Sequence, residues 1–317
     1  MKQKTFASLA FEQKKKPTRR ERFLAEMDAL IPWSELLSLI GRYYPKSGRR
    51  GRQPMPLERM LRIYFMQQWY GLSDPGMEDA LLEIESMRRF AGIELIDDAL
   101  PDETTILNFR HLLERHELSE QILHTINEML QSRGLLLKGG TIVDATIIHA
   151  SPSTKNRDRQ RDPQMHQTKK GHQYFFGMKV HVGADAQSGL VHTVGVTAAN
   201  VADVCALPQL VREEDQALFG DRGYVNNEMK RHARRAGVFW GVALKARAGR
   251  KLCEANKRFN RKMSSIRAKV EHVFRVMKCQ FGYRKVRYKG IAKNAAQVFS
   301  LIGLTNLYLV RRQLLGT

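Results

Sequence analysis

The spacing of apolar residues changes near residue 141, and this change limits the possible folds more than any other feature of the sequence. Up to about residue 135, apolar residues recur every three or four positions, which is typical of amphipathic helices. From residue 141 onward, β-branched runs alternate with short helical patterns. The sequence therefore predicts an α/β protein, with an N-terminal all-helical region over residues 1–135 and a mixed-sheet domain over residues 136–317.

The second region is predicted to begin with strands and to end with a C-terminal helix. The run "TIVDATIIHA" is a strand, and "YFFGMKVHVGADAQSGLVHTVGVTA" is a hairpin. Between them, residues 151–173 are polar and rich in Lys and Arg, which predicts a mobile basic loop. Strands and helices then alternate, beginning with a short helix capped by Asp203. A long helix over about 261–281 and a last helix over about 293–315 follow, so helices should cover a mixed sheet.

Capping signals divide the N-terminal region into several helices. Thr18 stands three residues before Glu21, which is a capping-box pattern, and Pro56 and Gly71 frame another helix. One further helix is predicted through residues 73–92, and two more before residue 135. Short helices joined by tight turns are typical of a helix-turn-helix DNA-binding unit and also of a small bundle. The pattern alone favours the bundle.

The chain is strongly basic, with 53 Lys and Arg against 32 Asp and Glu and a net charge of +21. This charge favours a polyanionic partner, with nucleic acid first and an anionic membrane surface second. The three cysteines are isolated and form neither a zinc-binding nor a disulfide pattern. The sequence contains neither the apolar core of a signal peptide nor a run long enough to cross a bilayer. It predicts a cytoplasmic protein that does not insert into membranes.

Two aspartates stand at positions where a carboxylate needs an explanation. Asp144 lies in the middle of a predicted strand, where a buried charge must be paired or bound to a metal unless it lies at the strand's open end. Asp221 follows a strand at its C-terminal end, where sites of open α/β sheets collect, but it is equally suited to cap the next helix. Gly223 would allow a sharp turn, and Tyr224 would either flank the site or pack inside.

A third acidic residue, Glu271, lies on the predicted long helix at the edge of an apolar stripe. The stripe consists of Met263, Ile266, Val270, Phe274, Met277 and Phe281. Arg267, one turn earlier, and Lys278, two turns later, share a face with Glu271. Glu271 is therefore either the partner of Arg267 in a surface ion pair or a metal ligand.

The three carboxylates together predict a site for Mg²⁺ or Mn²⁺, because oxygen-only ligands suit these ions. Two such ions can activate a water molecule or a 3′-hydroxyl and stabilise the leaving oxygen when a phosphodiester is attacked. The surrounding positive charge would hold the phosphate backbone of a nucleic acid.

Several long segments resemble the DDE transposases of bacterial insertion sequences, and most closely the insertion-sequence-five group. They are "YPKSGRRGRQPMPLERMLRIYFMQQWYGLSDPGMEDAL", "LPDETTILNFRHLLE", "TIVDATIIHAS", "MHQTKKGHQYFFGMKVHVG", "GDRGY" and "RAKVEHVFRVMKCQFGYRKVRYKG". The resemblance covers nearly the whole chain. It implies an RNase H-like catalytic domain in which Asp144, Asp221 and Glu271 bind the metal ions. It also implies cleavage at the ends of the element and joining of 3′-hydroxyls to target DNA.

The resemblance further implies which residues bind double-stranded DNA. The expected contacts are Arg267, Arg275, Lys278, Lys169, Lys170 and Tyr224. The helical region is expected to recognise the terminal inverted repeats. The protein is expected to act in the bacterial nucleoid as a homodimer on paired ends. The helix that begins near Thr104 is predicted to read DNA through Thr105, Asn108, Arg110 and His111.

The sequence departs from its relatives at two positions. Ser264 replaces a tyrosine that often stands three residues before the arginine that corresponds to Arg267. Ala202, in "NVAD", replaces a histidine that relatives often carry. If that histidine supports the site, this chain is expected to have reduced activity. Neither departure falls on a predicted metal ligand.

Overall fold

The computed structural model describes residues 15–48, 53–96, 98–157, 159–246 and 249–316. The segment before residue 15, in which no signal peptide is predicted, lies outside these ranges. The N-terminal region is helical, as predicted, with α1 Arg19–Leu30, α2 Trp33–Gly41, α3 Leu57–Tyr70, α4 Asp74–Glu83, α5 Glu85–Ala91, α6 Glu103–Arg115 and α7 Leu118–Ser132. In the described part of the chain, no helix combines the length and the apolar character needed to cross a bilayer.

The ends of the helices follow the capping signals in the sequence. Thr18 and Glu21 form the predicted capping box at the start of α1. Gly71 ends α3 in the left-handed conformation, with a φ of 65°, which glycine adopts without steric cost. The helix α2 was not predicted from the sequence.

The single helix predicted through residues 73–92 is wrong, because the chain breaks at Ile84 into α4 and α5. The apolar spacing continues through the break, so the sequence pattern does not reveal it. Two carbonyls near the end of α4 accept hydrogen bonds from the Arg88 guanidinium, at 3.0 Å for Leu81 and 2.6 Å for Leu82. The arginine thus satisfies backbone groups that a continuous helix would pair internally.

A mixed six-stranded sheet follows the helices. Its strands are β1 Thr141–His149, β2 His166–Lys170, β3 Gln173–Asp185, β4 Val191–Ala198, β5 Ala217–Gly220 and β6 Phe239–Val242. The order is β2-β3-β1-β5-β6, with β4 also paired to β3. The strands β1, β3 and β4 are antiparallel neighbours, whereas β5 and β6 run parallel to β1. This is the RNase H-like arrangement that the resemblance implies.

The basic segment over residues 151–173 is not a loop throughout, because part of it forms β2. This strand pairs with the outer end of β3 as a two-stranded ribbon. Asp162 and Gln164 accept hydrogen bonds of 2.6 Å from the N–H groups of Gly290 and Ile291, respectively. An exposed edge strand rich in lysine lacks the apolar alternation that marks buried strands, so its composition resembled that of a loop.

The remaining helices are α8 Asp203–Leu210, α9 Asn227–Arg235, α10 Glu254–Arg275 and α11 Ile291–Leu315, and a wider helical turn, Val276–Gln280, continues α10. The helix α10 begins earlier than predicted, because its first turns are polar and carry no apolar period. Ala202, rather than the predicted Asp203, caps α8, and it does so without a side-chain hydrogen bond.

The helix α11 joins the helical region to the sheet by packing against α7, α1 and β4. Three buried polar pairs anchor it: Tyr64 Oη to Ser300 Oγ at 3.0 Å, Gln297 Nε2 to Gln68 Oε1 at 3.1 Å, and Asn306 Nδ2 to Asn127 Oδ1 at 2.8 Å. Because buried amides need their partners, these pairs favour one register of α11 on the N-terminal helices. One apolar core extends across the boundary predicted at residue 135.

Candidate active site

The register of the strands brings Asp144 and Asp221 together. The strands β1 and β5 are parallel neighbours, and Ile142 pairs with Phe219. Each aspartate lies two residues beyond this pair along its own chain, so both stand at the same level of the sheet. The Asp144 side chain is 12% exposed, whereas the Asp221 side chain, just past the end of β5, is 44% exposed. A buried carboxylate and an open one therefore meet at one end of the parallel strands.

Asp221 caps a turn and also faces the site, so the two alternatives for this residue do not exclude each other. Its Oδ1 accepts a hydrogen bond of 2.7 Å from the N–H of Gly223, within the short 3₁₀ turn Arg222–Tyr224. A β-carbon on Gly223 would lie 2.8 Å from Oδ1. Glycine at this position therefore lets the turn close on one carboxylate oxygen and leaves Oδ2 for other partners.

The helix α10 supplies the third carboxylate. Its predicted apolar stripe is confirmed, with Met263, Val270, Phe274, Met277 and Phe281 buried and Ile266 partly buried. The stripe packs against β1 and β5, and Glu271 stays exposed at its edge. Glu271 thereby opens on the same cleft as the two aspartates.

The three carboxylates share one cleft of about 600 Å³. Most of the predicted site residues line it: Asp144, Asp221, Glu271, Arg267, Arg275, Lys278, Lys169 and Lys170. The ribbon of β2 and β3 supplies one basic wall, and α10 with its following turn supplies another. Carboxylates between walls of cations suit a phosphate chain held across a metal site.

Arg267 lies between the two aspartates. Its Nη1 is 3.5 Å from Asp144 Oδ2 and 3.9 Å from Asp221 Oδ2. The guanidinium thus faces the carboxylates of the sheet, although Glu271 stands one turn away on the same helix. Helical spacing alone suggested a pair between Arg267 and Glu271, because it cannot report contacts made across elements.

Burial raises the pKa of Asp144 to about 6. The nearby charges of Glu271 and Asp221 raise it further, whereas a 2.8 Å hydrogen bond from the Ala145 N–H and the charge of Arg267 lower it. Arg267 and the Ala145 N–H therefore offset only part of the cost of burying the ionised Asp144 carboxylate. Without a metal ion, the Asp144 carboxyl group is therefore partly protonated when the pH is close to 6.

The donor set fits Mg²⁺ or Mn²⁺. Three carboxylates from three different elements face one cleft, and the most buried of them has a raised pKa. Oxygen donors of this kind suit hard divalent ions. Within the described residues, no three Asp, Glu, His or Cys side chains are gathered closely enough to hold an ion as they stand. Metal binding would therefore require the carboxylates to approach one another.

The raised pKa of Asp144 predicts how the stability of the metal-free protein depends on pH. A carboxyl group whose pKa is higher in the folded state stabilises the fold below its unfolded pKa, and this contribution is lost as pH rises through about 6. Asp144→Asn should therefore raise the free energy of unfolding at pH 8, by up to about 3 kcal/mol. The difference from the unsubstituted protein should shrink toward zero near pH 4.

Urea unfolding of both proteins at pH 4, 6 and 8, with a chelator present, measures this difference. A difference that is constant across pH would contradict the raised pKa, because a purely structural effect of the substitution does not titrate.

Lys278 lines the cleft in the wider turn after α10. Its Nζ donates a hydrogen bond of 2.8 Å to the carbonyl oxygen of Ile147. Burial lowers the pKa of Lys278, and the charges of Lys170 and Arg284 lower it further. The lysine is thus fixed to β1 by one donor and keeps its others for the cleft.

Tyr224 was expected either to flank the site or to pack inside, and in the structure it packs inside. The side chain is 1% exposed and belongs to a small apolar cluster between the sheet and α8. A side chain so deeply buried offers no surface to DNA, which does not agree with the predicted contact. Its hydroxyl has no hydrogen-bond partner within the described ranges. Burial, and then the charges of Asp203, Asp144 and Asp221, raise the pKa of Tyr224.

The helix predicted to read DNA, α6, keeps its arginine inside the protein. Arg110 is 7% exposed and contacts Asp74 at 3.0 Å and Glu114 at 2.8 Å. Its guanidinium also lies 4.1 Å from the centre of the Tyr288 ring. Arg110 therefore stabilises the helical region, contrary to the prediction. Of the other residues proposed on α6, Asn108 is exposed, and Thr105 and His111 are partly exposed.

An ion pair that sequence reasoning missed also lines the cleft. Lys179 Nζ on β3 is 2.8 Å from Asp203 Oδ1 at the start of α8. Lys179 also donates to the carbonyl of Val201 at 2.7 Å. In the sequence, Asp203 is visible only as an acidic residue at the start of a helix, which predicts a cap and no ion pair.

The two residues that depart from the relatives are both exposed. Ala202 lies beside Asp203, and Ser264 lies one turn before Arg267.

A larger groove, of about 1010 Å³, lies between α1, the end of α3 and α11. Its charged lining residues are Arg19, Arg20, Arg22, Arg311, Glu21, Glu26, Glu83 and Glu85. Acidic and basic side chains balance there, so this groove lacks the positive excess that a nucleic-acid backbone requires. The cleft with the three carboxylates remains the candidate site.

Comparison with known families agrees with this geometry. The family model described as "Transposase DDE domain" matches residues 136–307, which is more than half of the chain. The family model described as "Transposase domain (DUF772)" matches residues 11–112. No solved structure matches the chain.

Proposed function

Because the chain belongs to the DDE transposase family, we propose that it cleaves DNA at the ends of an insertion sequence and joins the 3′-hydroxyls to target DNA. The observation that carries this proposal is the meeting of Asp144, Asp221 and Glu271 in one cleft with basic walls. The long segments quoted above extend the proposal to the insertion-sequence-five group.

In the proposed reaction, Asp144 and Asp221 at the sheet and Glu271 on α10 would together hold the metal ions. Mg²⁺ ions at the three carboxylates would activate the attacking water or 3′-hydroxyl and stabilise the leaving oxygen. Asp144 is fixed by the backbone of β1, and Asp221 by the turn that it caps. Glu271 is the exposed member and approaches from α10. Rotation of this exposed side chain toward the aspartates would allow the site to close around the ions.

The basic walls of the cleft would hold the DNA backbone. Lys169 and Lys170 on the ribbon are exposed, and Arg275 and Lys278 stand on the opposite wall. Phosphates laid between these walls would pass directly over the carboxylates. We assign the four cations to sequence-independent contacts, because cations that line a cleft around the carboxylates can bind backbone phosphates whatever the base sequence.

We further propose that residues 1–135 recognise the terminal inverted repeats and that the protein acts as a homodimer on paired ends. Among the residues first suggested on α6, Asn108 and His111 remain candidates, because they retain exposed surface. The shared core with α11 means that such a DNA-reading region would be rigidly connected to the catalytic cleft.

A second candidate function is that of a DNA-binding protein without catalysis. The observation that favours it is Ala202, which stands beside Asp203 at the edge of the cleft where relatives often carry histidine. Incubation of the protein with a labelled duplex, taken from the DNA that flanks the reading frame, separates the two functions. The transposase should nick that duplex with Mg²⁺, and neither a chelated sample nor a scrambled end should be cut. Stable binding without Mg²⁺-dependent nicking would favour the second function.

A further inference from the structure

The position of Arg267 has a consequence for metal binding. The guanidinium lies between the carboxylates of Asp144 and Asp221, at 3.5 Å and 3.9 Å. Neither distance is short enough for a well-formed hydrogen bond. Arg267 therefore balances the charge of the two aspartates without being locked to either of them, and its side chain keeps 28% of its surface exposed.

A divalent ion held by both aspartates would compete with this arginine. Carboxylate oxygens must approach Mg²⁺ to about 2.1 Å, so the ion would have to lie in the space between Asp144 and Asp221. A guanidinium so close to both aspartates would be repelled by the ion. The two cations therefore exclude each other from this position.

We propose that Arg267 is a positioning residue with two alternative partners. Before a divalent ion binds, it holds the Asp144 and Asp221 carboxylates together. After the ion binds, it turns out of the aspartate pair and contacts a DNA phosphate in the cleft. This inference rests on the proposed function, because it requires a divalent ion at the carboxylates.

The surroundings of Arg267 allow this change of partner. The residue projects from α10 on the same face as Glu271, which opens on the cleft. One turn earlier stands Ser264, a small and exposed residue, so no bulky side chain at that position blocks the arginine on the solvent side. A guanidinium released from the aspartates would meet phosphate with the planar, two-donor geometry that suits it.

The exchange makes the ion and DNA promote each other's binding. The ion releases Arg267 for phosphate, and phosphate holds Arg267 away from the aspartates. Thermodynamic linkage requires the two effects to be equal, and coupling between sites is typically about 5- to 150-fold. The arginine therefore weakens metal binding by the free protein and ceases to weaken it once DNA phosphate holds it away from the aspartates.

Calorimetric titration of Mn²⁺ into the metal-free protein tests the proposal without measuring activity. In the absence of DNA, Arg267→Ala and Arg267→Gln should each bind Mn²⁺ about tenfold more tightly than the unsubstituted protein, because a competing charge is removed. Arg258→Ala is the matched control, since Arg258 is an exposed arginine on the same helix but lies outside the cleft. Its Mn²⁺ affinity should change by only about twofold, because solvent screens the more distant charge.

The same titration with a pre-cleaved end duplex measures the coupling. DNA should tighten Mn²⁺ binding less in the Arg267 variants than in the unsubstituted protein. Weaker or equal Mn²⁺ binding by both variants without DNA would overturn the inference while leaving the proposed function intact. If the unsubstituted protein bound no Mn²⁺, with or without DNA, the proposed function and the inference would both fall.

Discussion

Replacing Asp144 with Asn, Asp221 with Asn or Glu271 with Gln should lower strand cleavage by on the order of a thousandfold, because each change removes a ligand of ions that contribute several kcal/mol to the transition state. Binding of an end duplex, measured without divalent ions, should stay within about threefold of the unsubstituted protein, because metal ligands act on the chemistry and the walls of the cleft hold the phosphates. Gel-shift and cleavage assays on the same labelled duplex measure both quantities.

Glu254→Gln provides the matched control for the glutamate. Glu254 lies on the same helix as Glu271 and is also exposed, but it pairs with Lys257 at 2.7 Å and lies outside the cleft. Its substitution should leave cleavage unchanged. Cleavage that persists in one of the three site variants would remove that residue from the metal site. Equal loss in Glu254→Gln and Glu271→Gln would point to a general effect of charge on α10.

DNA binding should weaken about 500-fold when salt rises from about 50 mM to 200 mM. The expectation follows from five of the six cations that line the cleft, because the sixth, Lys179, is paired with Asp203. The five are Lys169, Lys170, Arg267, Arg275 and Lys278. Each neutralised phosphate contributes about −0.9 to the slope of log affinity against log salt, so five contacts give a slope of about −4.5. Fluorescence anisotropy with a non-end duplex measures this slope without a contribution from sequence-specific contacts.

A double substitution in the β2–β3 ribbon tests which cations produce the salt dependence of DNA binding. Changing Lys169 and Lys170 to Ala should reduce the magnitude of the slope by about two. Lys138 and Lys257 form ion pairs outside the cleft, at 3.2 Å and 2.7 Å, so changing both to Ala should reduce it far less. An equal reduction in the two double variants would show that the net charge of +21, rather than the cleft, determines DNA affinity.

The sequence predicted those parts of the site that depend on a single element. The apolar stripe of α10 determined which face is buried, and this alone placed Glu271 and Arg267 at one edge. The position of Asp221 after β5, beside Gly223, likewise followed from local turn chemistry. The meeting of Asp144 and Asp221 depended on the pairing of β1 with β5, which no local pattern encodes.

The predictions that did not hold concern contacts between distant parts of the chain. Arg110 has the appearance of a surface residue on its own helix, but Tyr288 from far along the chain covers it. Tyr224 belongs to the turn that Asp221 caps and yet points into the core. Asp203 was read as a cap because its partner, Lys179, lies on another element. The exposure of a side chain and the residues that it contacts depend on the tertiary structure. The spacing of apolar residues along a helix or strand therefore does not determine them.

The anchoring of α11 on α7 affects how the protein is made. The end of α7, Ser132, and the end of α11, Leu315, are far apart in the sequence. At ribosomal rates of about 5–20 residues per second, α7 waits roughly 10–40 s for its packing partner to be synthesised. During this interval its apolar face has no cover from α11, and the Oδ1 of Asn127 lacks the hydrogen bond that Asn306 donates in the folded protein. A chain interrupted before α11 should therefore be aggregation-prone, because the apolar face of α7 that α11 covers would stay exposed.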